Sequence, residues 1–383
     1  MLVMNYAKRV QRIEPSATVA VGNLAAELNA EGVDIVDLSV GEPDMGTPDY
    51  IVEAGREALA DGHTRYTDSN GILKLRKAII KTLDNRGLSH DAEDIIVTPG
   101  AKHAIFETVQ ALVDPGDEVV LIDPAWVSYE PIVSLAGGTI TRINTTPHDF
   151  QLEPALDELL EVFTDSTELI IVNSPSNPTG AVYSDTALKG LRDLAVDYGV
   201  TVVSDEIYGK FTFNNGYTSP GSLDGLDERT VTIDGFSKAY AMTGWRLGYL
   251  AAPSNLVDQV GKIQTHSVTC ASNFAQHAAV EALKSGDHIV NEMIDTFQKR
   301  RDFLVEKLSK EGVSINPPDG AFYLMVPVDD DDQQWCEDAL ETAHVATVPG
   351  SAFGAPGYAR FAYTCEPKRL EEAVDRLSTH GLL

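Results

Sequence analysis

Cysteine is scarce and unpatterned: Cys270, Cys336 and Cys365 are the three thiols in 383 residues, with no CxxC and no Cys/His spacing. An odd, scattered set argues against a disulfide framework and against a zinc centre, so no metal is expected and the compartment is expected to be reducing. No apolar run approaches the length of a membrane span. The first residues, MLVMNYAKRVQRIEPSATVAVGN, lack an apolar stretch followed by a small-residue cleavage site, and the expected location is the cytoplasm. Basic side chains are few as well, 29 against 58 acidic ones, for a formal charge of −29. Such a surface repels phosphate backbones and anionic lipid, which excludes nucleic acid and membranes as expected partners. No GxGxxG stands at a strand-to-helix turn, which counts against a nucleotide-dependent dehydrogenase. The charge likewise counts against a DNA-binding regulator.

What is present is ordinary globular composition, 43% apolar with 30 Gly and 19 Pro, and no repeat or low-complexity tract. The length exceeds what a single growing core accommodates, so two domains are expected. Self-repulsion at −29 is a lever used by salt-adapted proteins, and a halophilic protein stabilised by salt is the expectation. The run Asp329 to Asp332 reads as a solvated surface loop.

From about Asp94, short β-branched runs alternate with helical patterns: IIVTPG, AKHAIFETVQALV, EVVLIDP, GTITRIN, ELIIVNSP, DTALKGLRDLAVDYG, VTVVSDEIY, TVTIDGFS and WRLGYLAAP. Strands that are apolar throughout, alternating with helices, predict an α/β domain with a mainly parallel sheet covered on both faces. Past roughly Gly286 the pattern changes to a long charged helix, two short runs (AFYLMVPV, ARFAYT) and a terminal helix, which reads as a smaller α+β domain completed by the N-terminal segment. The expected division is 49–285 for the large domain and 1–48 with 286–383 for the small one.

Ligands of such sheets sit beyond the carboxyl ends of the strands. The residues there are Gly100-Ala101-Lys102, Asp123 to Trp126, Asn173 to Gly180, Asp205 to Tyr208 and Gly235 to Lys238. Gly100-Ala101-Lys102 stands where a strand turns into a helix, so the amides of Ala101 and Lys102 can point at an anion. Lys238 follows a strand and lies eight residues before Arg246, a cation able to reach the same place. Asp205 has a plainer alternative, as N-cap of a helix beginning at Glu206. Asn177 could be a turn residue before Pro178, Trp126 core, and Lys102 a solvated helix start.

Five segments in this order, VGEPDMGTP, SPSNPTG, SDEIY, GFSKAYAMTGWRLGY and ARFAY, resemble the fold-type I aminotransferases of the aspartate aminotransferase family, bacterial and archaeal branch. The resemblance runs from about Arg9 to the C-terminus. It implies pyridoxal phosphate held as a Schiff base on Lys238, with Asp205 at the ring nitrogen, Asn177 and Tyr208 at the ring hydroxyl, and Trp126 stacked on the ring. It places the phosphate on Gly100, Ala101, Lys102, Ser237 and Arg246, with Tyr66 reaching across from a second subunit, hence a homodimer. The substrate's α-carboxylate falls to Arg360, Asn177 and the Gly41 backbone, beside Trp126. Lys102, assisted by Ser16 and Thr18, matches the residue that reaches the distal carboxylate of acidic substrates. The expected reaction is ping-pong transfer of an amino group from aspartate to 2-oxoglutarate. Aromatic amino acids or prephenate, or a β-lyase on the same fold, are the alternatives. Two departures from the family bear on substrate choice: the short acidic stretch after Val326, and Ala125 where an aromatic is expected beside Trp126.

Overall fold

The computed structural model describes residues 5–213, 216–285 and 288–383. The domain boundary expected at Gly286 and the first four residues of the chain lie outside the described residues. Seven strands form the main sheet: β2 (Ile95–Thr98), β3 (Glu118–Asp123), β4 (Thr139–Asn144), β5 (Thr167–Asn173), β6 (Thr201–Asp205), β7 (Thr230–Gly235) and β8 (Gly248–Ala251). The short β1 (Val36–Asp37) precedes them. The order across the sheet is β2-β8-β7-β6-β5-β3-β4. β8 runs antiparallel to both neighbours and the other pairs are parallel, as the alternation of strand and helix predicts.

Strand periodicity divides the core between the two faces. Leu169 and Ile171 of β5 point to one face, with Val119 and Leu121 of β3. Helices Ala101–Leu112, Tyr129–Ala136 and Ser254–Ser267 cover it. Ile170 and Val172 point to the other face, which helices Leu156–Val162 and Asp185–Tyr198 cover. Each such side chain, wholly removed from water, contributes about 1.5–3 kcal/mol of transfer free energy, which is why β3 and β5 carry continuous apolar runs.

A smaller domain holds an antiparallel sheet of β9 (Tyr323–Pro327), β11 (Val348–Pro349) and β12 (Tyr358–Ala362), in the order β11-β12-β9. β10 (Val345–Ala346) pairs in parallel with β1, so a strand from the N-terminal segment is completed by one from the C-terminal region. The long helix His288–Lys310 and the terminal helix Pro367–Thr379 pack on this unit.

Two sequence expectations change. The acidic run is not wholly a solvated loop: Asp331 caps helix Asp332–Glu341 by accepting from the Gln334 amide, and Asp332 is buried, accepting from the Ser351 amide at 2.7 Å. A carboxylate at a helix start satisfies amides that would otherwise lack partners, and that outweighs its solvation. No helix begins at Glu206. Residues 207–210 form a turn, and Asp205 is held below the surface as the last residue of β6.

Candidate active site

The sheet's pairing sets the site. Asn173 at the end of β5 is in register with Asp205 at the end of β6, so both occupy the same carboxyl edge. Gly235 pairs with Gly248 and Thr98 with Gly248, which brings the segment after β7, the segment before β8 and the turn after β2 to that edge. Lys238 and Arg246, both in the connection between β7 and β8, are thereby gathered at one place with Gly100-Ala101-Lys102 from a distant part of the chain. A cavity of about 630 Å³ opens there, lined among others by Lys238, Asp205, Arg360, Arg246, Trp126 and Asn177. Gly41, Ala101, Lys102, Tyr208 and Ser237 also face it.

Gly100 is the N-cap of helix Ala101–Leu112 with φ +89°, and a Cβ there would stand 2.6 Å from Arg246 Nη2. Glycine both permits that backbone conformation and lets the guanidinium lie against the helix start. The first amides of a helix have no intrahelical partner, so this corner combines free N–H groups, a macrodipole's positive end and an arginine. It is built for a dianion.

Lys238 is partly buried in the cavity wall, and burial brings its amine down to about 8; the nearby cations Arg360 and Arg246 push the same way, while Glu42 and Asp205 oppose them. Its Nζ donates to the Gly41 carbonyl at 2.5 Å. Asp205 shifts the opposite way: burial raises its carboxyl to about 6, against the Tyr129 hydroxyl, which donates to Oδ2 at 2.7 Å. Removal from water disfavours the charged form of both groups, so one becomes a weaker base and the other a weaker acid. The Asn173 side chain donates to the Asp205 carbonyl at 2.9 Å and accepts from the Asn177 amide at 2.8 Å, locking the two loops together. Arg360, on β12 and 2% exposed, donates through Nη1 to Asn177 Oδ1 and through Nη2 to the Ser39 carbonyl; its Nε has no partner among the described residues. Lys102 Nζ lies 4.8 Å from the Trp126 ring, and burial followed by the Arg246 charge lowers its pKa.

Of the residues singled out from sequence, Gly100 and Ser16 do not line the cavity themselves but adjoin residues that do, whereas Tyr66 is 84% exposed and outside it. Thr18 lines the cavity, with its hydroxyl 3.0 Å from that of Ser16. Three residues were not anticipated. Tyr129, the first residue of helix Tyr129–Ala136, reaches Asp205. Tyr323 hydrogen-bonds the Tyr208 hydroxyl at 2.7 Å from the other domain, and a Cβ on Gly41 would lie 2.3 Å from its oxygen. Glu42, in the same loop as Gly41, lines the mouth.

The donor set suits pyridoxal phosphate on its own terms. A partly buried amine of depressed basicity, a buried carboxylate, an aromatic face, an anion cradle and a buried arginine whose Nε is unpartnered among the described residues occupy one chamber of adequate size.

Comparison with known proteins agrees. The family model for aminotransferase class I and II matches residues 33–377. An aspartate aminotransferase of Thermotoga maritima is 40% identical over 373 residues, covering 97% of this chain and 98% of its own length. An aspartate/prephenate aminotransferase of Thermus thermophilus is also 40% identical, with 97% of each chain covered. The solved structure of Thermus thermophilus aspartate aminotransferase with maleate superposes with a TM-score of 0.95 at 39% identity, covering 98% of this chain and all of that one. With a partly buried lysine and a buried carboxylate and arginine gathered at the carboxyl edge of this sheet, the chain belongs to the class I and II aminotransferases, enzymes that depend on pyridoxal phosphate.

Proposed function

We propose that the enzyme transfers the amino group of aspartate to 2-oxoglutarate, with Lys238 as the amine that carries the cofactor and moves the proton. The observation that carries this reading is the convergence of Lys238, Asp205, Arg360 and Lys102 on one cavity. Bound pyridoxal phosphate supplies an aldehyde that condenses with primary amines and a conjugated ring that accepts the electron pair left at Cα. Lys238 would hold the cofactor through its amine and, as general base, would move the proton at the substrate's Cα; the lowering of its pKa to about 8 suits an amine for that task. Asp205 would hold a proton at the cofactor's ring nitrogen, Asn177 and Tyr208 would hydrogen-bond its ring hydroxyl, and Trp126 would stack against it. The amides of Ala101 and Lys102, with Gly100, Ser237 and Arg246, take the phosphate.

Arg360 offers a planar fork to the α-carboxylate, beside Asn177 and the Gly41 backbone. Lys102, next to Thr18, serves the distal carboxylate of an acidic substrate. Two relatives named for aspartate support the donor, and one named for prephenate supports a wider choice of acceptor. Both names favour transfer over β-elimination. The same reading makes the enzyme a cytoplasmic homodimer in which Tyr66 of a second copy completes the phosphate site, and divides the chain into 49–285 and 1–48 with 286–383. Initial rates with aspartate and 2-oxoglutarate both varied test the reaction. Parallel double-reciprocal lines are expected; intersecting lines, or release of ammonia and pyruvate from an amino acid that carries a β-leaving group in place of transfer from aspartate, would contradict it.

A further inference from the structure

Residues 38–47 cross the mouth of the site as a strap between the two domains. On the small-domain side the Leu38 carbonyl accepts from the Ala362 amide at 2.8 Å, the Ser39 carbonyl from Arg360, and the Val40 carbonyl from the Thr364 hydroxyl at 3.2 Å. On the large-domain side Thr47 donates to the Ala241 carbonyl at 2.6 Å and accepts from Trp245 Nε1 at 3.1 Å, one residue from Arg246. Between these ends, Gly41 presents its carbonyl to Lys238 and Glu42 faces the cavity. Neither of those two contacts is itself an anchor: one is to the reacting amine, the other is to open space. The middle of the strap is instead tied by Asp44. Both of its carboxylate oxygens accept from Arg300, Nη1 to Oδ1 and Nη2 to Oδ2, each at 2.8 Å. Arg300 lies on the long helix His288–Lys310, 6% exposed, with its planar group against the Phe297 ring.

A two-pronged contact fixes orientation as well as distance, which one hydrogen bond does not. An arginine that reaches the strap from a rigid 23-residue helix transmits the position of that helix to the carbonyl three residues away.

We propose that Asp44 and Arg300 are a positioning pair: their clamp holds the strap so that the Gly41 carbonyl stays on the Lys238 amine, and it couples the small domain's placement to that of the reacting lysine. This inference rests on the reading of Lys238 as the cofactor amine. A released strap takes with it an acceptor that favours the protonated amine and moves Glu42, a second such influence. The groups left facing Lys238 are Arg360 and Arg246, which disfavour its charge, Asp205, which favours it, and the Tyr208 and Phe322 rings. The amine's midpoint therefore falls when the clamp is cut.

The test uses the full chain without cofactor, comparing wild type with Asp44→Asn, Arg300→Met, the double variant and the conservative Arg300→Lys. The rate at which each captures added pyridoxal phosphate is followed by its visible band across pH, and hydrogen exchange is followed in the peptide covering 38–47. The expected result is a capture midpoint lowered by about half a unit or more in Asp44→Asn and Arg300→Met, with partial rescue by Arg300→Lys. The double variant should be no worse than either single one, since both cut the same contact. Strap exchange should quicken in the variants while core strands stay protected. An unchanged midpoint, or additive effects in the double variant, overturns the coupling. Wild type that captures no cofactor overturns the reading of Lys238 instead, and unchanged strap exchange in the variants overturns the clamp whether or not cofactor binds.

Discussion

At the scale of single residues, opposite pKa shifts divide the chemistry. Burial pulls Lys238 down to about 8 and pushes Asp205 up to about 6, so between those values, before cofactor enters, Lys238 is mainly protonated and Asp205 mainly charged. As pH falls through about 6, Asp205 takes up a proton and loses the charge that a protonated ring nitrogen requires, so cofactor affinity measured by titration should weaken there. Tyr129 holds that limb in place. Its hydroxyl donates to the carboxylate and opposes the effect of burial, so Tyr129→Phe should raise the Asp205 midpoint and move the loss of affinity to higher pH. Were the acid limb to stay where it is in Tyr129→Phe, the hydroxyl would not be tuning Asp205. In the proposed reading the Lys102 amide serves the cofactor's phosphate and its side chain serves the substrate. Lys102→Met removes a charged donor worth about 1.5–3 kcal/mol and should lower kcat/KM for aspartate by roughly 10- to 100-fold. The same variant should leave an aromatic donor nearly untouched; equal losses for both donors would return Lys102 to the cofactor or to the helix start.

At the scale of elements, the sequence displays what is local and hides what is long-range. The runs IIVTPG, EVVLIDP and ELIIVNSP declare buried strands because a sheet covered on both faces needs apolar residues at every position, and the residues that follow them form the site because sheets of this kind bind ligands at that edge. Lys238, Asp205, Asn177 and Arg360 were legible by that rule together with the family's motifs, and they do converge. The interior partners were not. Tyr323 meets Tyr208 across 115 positions of chain and Arg300 meets Asp44 across 256, separations no local pattern carries. The buried set behind the site is similar: Arg86 pairs with Glu206 and Asp234, two acids that strand periodicity marks only as polar residues in apolar company. The acidic run at Asp329 to Asp332 misled because its composition resembles a solvated face, whereas two of its members cap and anchor a helix. The absence of a helix at Glu206 has the same origin. A capping residue and a strand-end ligand present identical letters, and burial of the carboxylate decides between them.

At the scale of the molecule, charge and exposure point outward. A formal charge of −29 on 383 residues repels itself, and screening relieves it. The melting temperature should therefore rise between low and molar salt; a flat or falling curve would remove the salt-adapted reading. Tyr66 is 84% exposed and outside the cavity. If it completes the phosphate site of a second copy, mixing inactive Lys238→Ala protein with Tyr66→Ala protein and letting them exchange should restore activity, since each mixed pair then contains one site with Lys238 and Tyr66 both intact. Sedimentation should show dimers, and mixtures that exchange without regaining activity would place Tyr66 elsewhere.

The most direct measurement is the visible absorption spectrum of the purified protein with added pyridoxal phosphate, recorded before and after L-aspartate is supplied with no oxo acid present. The account predicts a visible band that depends on Lys238, is absent from Lys238→Ala, and gives way to the pyridoxamine form when aspartate is added. No band in the presence of cofactor, or a band of equal strength in Lys238→Ala, would contradict the assignment of Lys238; a band that aspartate leaves unchanged while another amino acid converts it would contradict the assigned donor.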